Sequence, residues 1–252
     1  YATAASVPQA VSPNGCKTKP KNNAEVYYGR HVAGKEFEQA KIFVISSNQN
    51  LLTHPLLKDY WKDIANADLP DGYSGDTDDG CTKYFTIGAG PSDTDDDMLL
   101  AKINRESDEV GNGFEHAVFV KNINYEFLPT FFENYIKTPI AVVNSNFAVQ
   151  NSNGKTKTIL KYESYLKKDW YKLGYDWVEF NANSFVSGLL KHWGIRPNRL
   201  PGYGLHGWDK SIPPTFFYTR YTTIEDMKKA VYSTQKCEGA GSNAELWVGY
   251  HP

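Results

Sequence analysis

The sequence contains no apolar run of about 18 residues, the length that a membrane-crossing helix requires. It also has no basic excess, because 27 lysines and arginines are balanced by 29 aspartates and glutamates and the formal net charge is -2. The basic surface that nucleic-acid-binding proteins present is therefore not expected. The paired cysteine spacings of zinc sites and CxxC redox motifs are missing as well. These absences argue against a transmembrane segment, a nucleic-acid partner and a metal site, and we expect no cofactor.

Cysteine is scarce, with three residues far apart in the chain: Cys16, Cys81 and Cys237. The first residues are rich in Ala, Ser and Pro and look like the start of a mature exported protein whose signal peptide has been removed, although a trimmed fragment would look the same. Exported proteins form disulfides, so we expect one disulfide and one free thiol, with the pairing left open. The expected location is secreted or periplasmic.

The length of 252 residues suits one large domain or two small ones. Residues 1–23 are rich in Pro, Asn and Lys and indicate a flexible N-terminal arm. Residues 24–252 show no clear linker and no internal repeat, which favours a single domain. Segments of strand and helix character are mixed without a steady βαβ rhythm, and this favours the α+β class, with an antiparallel sheet packed against helices.

Short apolar runs predict the strands, and longer runs with apolar residues every three or four positions predict the helices. The predicted strands are residues 25–28, 41–46, 83–87, 116–120, 140–143 and 245–248, and residues 98–104 form a strand or a short helix. The predicted helices are residues 51–67, 128–136, 162–173, the stretch around Ser184, and 223–231. The Gly-Ala-Gly-Pro sequence at 88–91 predicts an abrupt turn rather than a phosphate-binding loop, because no Lys-Ser/Thr follows it.

The stretch around Ser184 is the most informative part of the sequence, because it carries the signals of both ends of a helix. Asn181 or Asn183 provides the N-cap, an apolar stripe follows at helical spacing, and Gly194 ends the helix. Ser184 therefore lies in the first turn, where unpaired N–H groups and the positive end of the helix dipole stabilise negative charge. Gly188, one turn later, would let another element pack closely against the helix.

Ser184 and His116 are the candidate catalytic pair. A serine hydroxyl is a poor nucleophile unless a base removes its proton, and histidine titrates in the range that suits this role. His116 begins an apolar strand that would hold it at the edge of a rigid sheet, near the start of a neighbouring helix. The alternative is that Ser184 only helps to cap its helix and that His116 is a hydrogen-bonded strand residue.

A helix that starts with Asn-Ala-Asn-Ser-Phe at 181–185, downstream of a strand led by His116, resembles the circularly permuted papain-like hydrolases, which include NlpC-type peptidases, amidases and acyltransferases. Blocks at 84–91, at 103–105 with Asp108, and at 181–190 also resemble domains of bacterial secreted or toxin-associated proteins, and the resemblance covers roughly residues 40–200. It implies a permuted papain-like fold. Where that family has a nucleophilic Cys, this sequence has Ser184. The serine is either a true variant, a mark of an inactive relative, or a substitution made to trap a complex.

The resemblance also implies the rest of the site. A third polar group orients the histidine ring from the end of the strand after the histidine strand, and Asn144 fits that position best, with Asn146 next and an ordinary turn as the alternative. The helix start, with the side-chain amide of Asn181 or Asn183, would stabilise the oxyanion. His206, in a loop rich in glycine and aromatic residues beyond the nucleophile helix, is the alternative base.

Two acidic loops, at 76–79 and 93–97, are dense in oxygen donors of the kind that bind calcium. Neither loop has the glycine and glutamate positions of an EF-hand. Solvated surface loops are therefore the favoured interpretation of both.

Sequence and resemblance together predict a secreted hydrolase or acyltransferase that acts on an amide or an ester. Ser184 would attack the carbonyl while His116 removes and later returns its proton and Asn144 orients the ring. The expected partner is a cell-envelope or lipid substrate, with the peptide of peptidoglycan first and lipid esters second. The competing prediction is a non-catalytic binding or effector module that keeps the papain-like fold. The oligomeric state is not predicted.

Overall fold

The computed structural model describes residues 16, 23–32, 38–78, 80–92, 98–105, 115–147, 160–162, 178–197, 205 and 207–239. Six strands form one sheet: β1 (Ala24–Val32), β2 (Glu38–Ser46), β3 (Lys62–Asp63), β4 (Lys83–Pro91), β5 (Leu99–Ile103) and β6 (Glu115–Ile123). Their order is β3-β4-β2-β1-β6, and β5 pairs with β4. Every pairing in this sheet is antiparallel. A separate parallel pair joins β7 (Leu160–Tyr162) and β8 (Val178–Phe180).

The sheet buries side chains on both of its faces. Successive side chains of a strand point to opposite faces, and Val26 and Tyr28 of β1 belong with Ile42 and Val44 of β2 to the main core on the helix side. The opposite face carries a smaller buried cluster made of Tyr27, Phe43, Ile45, Ile64 and Tyr84. Burial on both sides explains why β2 reads as a near-continuous apolar run. The predicted α+β class, with an antiparallel sheet and helices, is confirmed.

β4 continues through the glycines where the sequence predicted a turn. Its residues from Ile87 onward pair with β5, ending with Pro91 opposite Leu99. Gly90 suits this strand because the guanidinium of Arg105 occupies the space that a Cβ would take. Proline is tolerated at the end of a strand, where its missing N–H breaks no ladder. The predicted turn at 88–91 is therefore wrong, because pairing with β5 overrides the local glycine and proline signals.

The helical segment after β6 is longer than predicted. It runs through α2 (Leu128–Phe131), a π-helical turn (Phe132–Lys137) and α3 (Thr138–Phe147). The strand predicted at 140–143 is wrong, because these residues form the middle of α3. A short apolar run cannot be assigned to a strand or to a buried helix by periodicity alone. Here Ile140 and Val143 are buried against the core from the helix.

Pro139 explains the π-helical turn. Proline lacks an N–H, and its ring clashes with the carbonyl four residues earlier, which is that of Tyr135. A wider turn makes room for the ring. The Tyr135 carbonyl accepts a hydrogen bond of 2.8 Å from the indole N–H of Trp193. The bond that a regular helix would have made is thus replaced by a side chain from another helix.

The helix predicted at 51–67 is wrong. A short helix, α1 (Gln49–Leu52), is followed by turns, by β3 and by a 3₁₀ turn at Asn66–Asp68. Pro55 supplies no N–H and restricts the residue before it, which disfavours a continuing helix. The apolar residues pack from the turns instead. Leu57 is buried, and the Trp61 indole donates to the Leu51 carbonyl at 3.0 Å.

Two further helices complete the described structure. α4 (Ala182–His192) contacts β2 and β4, and α5 (Ile224–Gly239) follows a 3₁₀ turn at Pro214–Phe217. The predicted helix at 223–231 is confirmed and extends further. Most of the predicted helix at 162–173 and all of the strand at 245–248 lie outside the described residues. Within the described part of the chain, no helix combines the length and apolar character needed to cross a membrane.

A disulfide joins Cys16 to Cys81, and both residues are buried. The prediction of one disulfide is confirmed, and the structure supplies the pairing. Cys237 lies in α5. The loop that ends at Cys81 is also held to β1, because the Glu25 carboxylate accepts a hydrogen bond of 3.0 Å from the Ser74 N–H. The other residues of the predicted arm, apart from residue 23, lie outside the described residues.

Candidate functional site

The start and the end of α4 are as predicted. Asn181 is the N-cap, and its side-chain oxygen accepts a hydrogen bond of 3.0 Å from the Ser184 N–H. At the other end Gly194 has a φ of +75° and its N–H bonds the Lys191 carbonyl, while the Ile195 N–H bonds the Leu190 carbonyl, both at 2.9 Å. These two bonds form a Schellman motif. Ser184 therefore lies in the first turn, the position expected of a nucleophile.

The Ser184 side chain is completely buried, with an exposed fraction of 0%. Its Oγ lies 3.1 Å from the Gly207 carbonyl oxygen and 3.2 Å from Asn181 Oδ1. Both neighbours are acceptors, so the single hydroxyl proton is given to one or the other. Neither a carbonyl nor an amide oxygen is basic enough to remove that proton. In this arrangement the hydroxyl serves as a hydrogen-bond donor inside the protein.

Residues 207–212, which we call the covering segment, lie across the first two turns of α4. The Ile212 N–H bonds the Ser184 carbonyl at 3.0 Å, and the hydroxyls of Ser187 and Ser211 are 2.6 Å apart. A Cβ on Gly188 would lie 2.5 Å from the Ile212 carbonyl oxygen, which confirms the predicted close approach at this glycine. The hydroxyl of Ser184 is thus buried by another part of the same chain.

The covering segment is itself part of the core. The Trp208 ring stacks on Tyr28 of β1, with ring centroids 5.7 Å apart, and is buried together with Ser211 and Ile212. Gly207 has a φ of +88°, and a Cβ there would lie 2.5 Å from Asn181 Oδ1. Glycine can adopt this positive φ and leave room for Asn181 Oδ1 without strain, and other residues cannot. Trp208, Ser211 and Ile212 of the covering segment are therefore packed like residues of the core.

Asn183 fixes the start of α4 to the sheet. Its Oδ1 accepts a hydrogen bond of 2.6 Å from the Ala40 N–H in β2. Ala40 pairs with Arg30 in β1, and Arg30 pairs with Glu115 in β6. Because neighbouring strands are about 4.8 Å apart, the first residue of β6 lies about 10 Å from Ala40. The backbone of His116, the next residue, is thus at the same end of the sheet as the start of α4, while its side chain lies outside the described residues.

Asn144 lies at the other side of the sheet. It belongs to α3, where its Oδ1 accepts from the Ala101 N–H and its Nδ2 donates to the Ala101 carbonyl, both at 2.9 Å. Ala101 is in β5, which is separated from β6 by β4, β2 and β1. Four strand spacings amount to about 19 Å. Asn144 anchors α3 to β5, and this geometry does not support its expected role of orienting the His116 ring.

Asn146, the other candidate for that role, is fully buried and uses all of its described hydrogen bonds on the chain that precedes α5. Its Nδ2 donates to the carbonyls of Phe216 and Thr219, at 3.0 and 2.8 Å. Its Oδ1 accepts from the Tyr221 N–H at 2.9 Å. Asn146 therefore holds an irregular segment in place.

The structure describes His192 but not His206, the alternative base, which lies outside the described residues. His192, near the end of α4, is half-buried, and its ring stacks on Phe217 and Tyr218 with centroid distances of 5.4 and 6.0 Å. Burial lowers the pKa of His192 below its ordinary value of 6.5. The packing around His192 therefore favours its neutral form.

Arg30 is a residue near the start of α4 that the sequence analysis missed. It is only 7% exposed, although it carries a charge. It alternates with Val26 and Tyr28 along β1, so it points to the helix side of the sheet. The predicted strand ended at residue 28, whereas β1 continues to Val32. If the predicted strand had been extended by two residues, the alternation of its side chains would have placed Arg30 on the buried face.

The first acidic loop is solvated in part, as the sequence favoured, because Thr77 and Asp78 are exposed while Asp76 is not. Asp76 is buried, its Oδ1 accepts from the Asp78 N–H at 3.1 Å, and its own N–H donates to Ser47 Oγ at 3.0 Å. This carboxylate organises a turn. The second acidic loop, at 93–97, lies outside the described residues. In the part of the chain that is described, no group of three or more His, Cys, Asp or Glu residues could hold a metal ion.

Comparison of the chain with known protein families, with curated proteins and with solved structures finds no significant match. The resemblance to permuted papain-like hydrolases therefore stays a prediction that depends on the motifs alone.

Proposed function

We propose that the protein is a non-catalytic binding module, which keeps the α+β scaffold and recognises a cell-envelope or lipid component without cleaving it. One observation carries this proposal: the Ser184 hydroxyl is fully buried and donates its proton within the protein. A nucleophile must reach its substrate and must give its proton to a base. Ser184 is buried in this arrangement, and among the described residues its hydroxyl bonds two acceptor oxygens rather than a base; these bonds account for its presence at the start of α4.

An extracytoplasmic location belongs to the same proposal. The Cys16–Cys81 disulfide supports it, because disulfides form and persist in oxidising compartments such as the periplasm and the outside of the cell. A cell-envelope or lipid partner would be available in either place.

The second candidate is the predicted hydrolase or acyltransferase, with Ser184 as nucleophile and His116 as base. It is favoured by the register of the sheet, since the start of β6 lies two strands from the anchor of Asn183 on Ala40. For this function the covering segment would have to move away from Ser184. The buried Trp208, Ser211 and Ile212 oppose such a movement, so we place this candidate second.

A fluorophosphonate probe separates the two candidates, because it reacts covalently with activated serines. We expect no labelling of the folded protein and no hydrolysis of amide or ester substrates. Labelling of the wild type that is lost in both Ser184→Ala and His116→Ala would contradict the binding module and support the hydrolase. Circular dichroism and urea unfolding of each variant establish that a loss of labelling is not a loss of the fold.

The structural role of Ser184 has its own test. Ser184→Ala removes this donor from the half-buried Gly207 carbonyl, which keeps the Lys210 N–H at 3.0 Å, and it leaves a buried gap, so we expect the free energy of unfolding to fall by about 1 kcal/mol. Ser145→Ala is the matched control, because the exposed Ser145 hydroxyl also donates to a main-chain carbonyl, that of Val142, at 2.7 Å. Water can replace that bond, and we expect a change below about 0.5 kcal/mol. Equal effects of the two substitutions would contradict the role of Ser184.

A further inference from the structure

Four aromatic side chains form one face at the surface, where the helix after β6 meets the end of α4. Phe131 lies at its centre, with its ring centroid 5.3 Å from that of Tyr135 and 5.2 Å from that of Trp193. Phe127 precedes Phe131 by one helical turn and is 68% exposed. We call Phe127, Phe131, Tyr135 and Trp193 the aromatic face. Covering a ring as exposed as Phe127 would remove apolar surface from water, which favours binding to an apolar partner.

A cation contacts the aromatic face, and the neighbouring sequence carries more cations than anions. The Nζ of the exposed Lys121 lies 5.5 Å from the ring centroid of Phe131. Residues 121–137 and 189–196, which include the four rings, contain the cations Lys121, Lys137, Lys191 and Arg196 and the carboxylates Glu126 and Glu133, and Lys137 forms an ion pair with Glu133 at 3.2 Å. Cations therefore outnumber anions here, although the chain as a whole has a formal net charge of -2. The local charge is complementary to an anionic surface.

The face offers little to a ligand that must be read by hydrogen bonds. Phenylalanine rings neither donate nor accept such bonds, and the Trp193 N–H is already given to the Tyr135 carbonyl, so the Tyr135 hydroxyl is the one polar group that the four rings offer. A sugar or an extended peptide would bury several hydroxyl or amide groups against these rings, more than one hydroxyl can bond. A lipid interface makes no such demand, since it takes aromatic rings at the level of its headgroups and basic side chains beside its phosphates.

We propose that the aromatic face docks on an anionic lipid surface, with Phe127 inserted among the headgroups and Lys121 beside the phosphates. This inference depends on the proposed binding function and names its partner. The protein would lie on the membrane surface by this face, and the start of α4 would take no part.

Co-sedimentation with lipid vesicles tests the docking. The full chain is mixed with phosphatidylcholine vesicles that contain phosphatidylglycerol, and with vesicles of phosphatidylcholine alone. We expect binding to the anionic vesicles that weakens as salt is raised. Phe127→Ser should lower the partition coefficient roughly tenfold, and adding Lys121→Glu should lower it by a further fivefold or more. Phe119→Ser is the matched control, because Phe119 is 51% exposed in β6 and its ring contacts Tyr27 on the opposite face of the sheet.

Three results would overturn the docking proposal. The first is that the wild type binds neither kind of vesicle. The second is that Phe127→Ser and Phe119→Ser lower the partition coefficient equally. The third is that the wild type is a dimer in analytical ultracentrifugation and that Phe127→Ser dissociates it. The last result would identify a second copy of the chain as the occupant of the face. None of them changes the fluorophosphonate result, so failure of the docking is distinguishable from failure of the binding module itself.

Discussion

Gly188 of α4 and the Ile212 carbonyl approach so closely that a Cβ on the glycine would lie 2.5 Å from the carbonyl oxygen. In an unobstructed helix, replacing glycine by alanine stabilises by about 1 kcal/mol. Here we expect Gly188→Ala to lower the free energy of unfolding by about 1–2 kcal/mol net, because the backbone of the covering segment must shift. Urea denaturation measures the change. The sign of the change in the free energy of unfolding is the test, because a more stable variant would mean that the covering segment does not lie tightly on α4.

Asn146 should be among the polar residues most sensitive to substitution. Asn146→Ala leaves two carbonyls and one N–H of residues 216–221 without their side-chain partner in a buried place, and we expect a loss of about 3–5 kcal/mol. Asn144→Ala removes a side chain that is partly exposed and bonds a single residue, so a smaller loss is expected. Thermal or urea unfolding compares the two, and the reverse order would contradict the roles assigned to these asparagines.

The disulfide joins residues 65 positions apart in the sequence. A loop of that length gives an expected stabilisation of about 4 kcal/mol through its restriction of the unfolded chain. Cys16→Ala/Cys81→Ala should lose about that much free energy of unfolding, and reduction of the wild type should have a similar effect. Cys237→Ala is the control and should remain sensitive to reductant. If reductant instead had no effect on Cys237→Ala, the stabilising disulfide would have to involve Cys237.

His192 should make the protein less stable in mild acid. Burial lowers its pKa in the folded state, so the unfolded chain binds a proton more readily. The stabilising contribution of the neutral ring is complete above the ordinary value of 6.5 and is lost as the pH falls below it. His192→Phe keeps an aromatic ring against Phe217 and cannot titrate, and we expect a flatter dependence of the unfolding free energy between pH 7 and 5. Parallel curves for wild type and variant would contradict this assignment.

The parts of the fold that sequence predicted well are those whose signals are local. The residues that determine both ends of α4 lie next to the helix in the sequence: Asn181 caps its start, and Gly194 ends it. The strands β1, β2, β4 and β6 were found from their apolar runs, though not their full lengths.

The failures have a common origin in distant contacts. Gly88 to Pro91 was predicted as a turn because nothing nearby in the sequence shows that β5 will pair with it. Residues 140–143 were predicted as a strand because a short β-branched run fits either kind of buried element. The position of Ser184 was predicted correctly, but the covering segment that buries it belongs to a later part of the chain. Local pattern placed the hydroxyl, and only the folded chain determines whether a substrate can reach it.

The hydrogen bond between the Trp193 indole and the Tyr135 carbonyl makes the amino acids at positions 139 and 193 interdependent. A proline in mid-helix is tolerated here because a tryptophan from another helix compensates the lost amide. Replacing Trp193 by phenylalanine would keep an aromatic ring but remove the N–H that bonds the Tyr135 carbonyl. In a chain with alanine at position 139, the main-chain N–H of that alanine could bond the same carbonyl, and the replacement of Trp193 would cost less. During evolution the tryptophan could therefore be lost at low cost only after the proline.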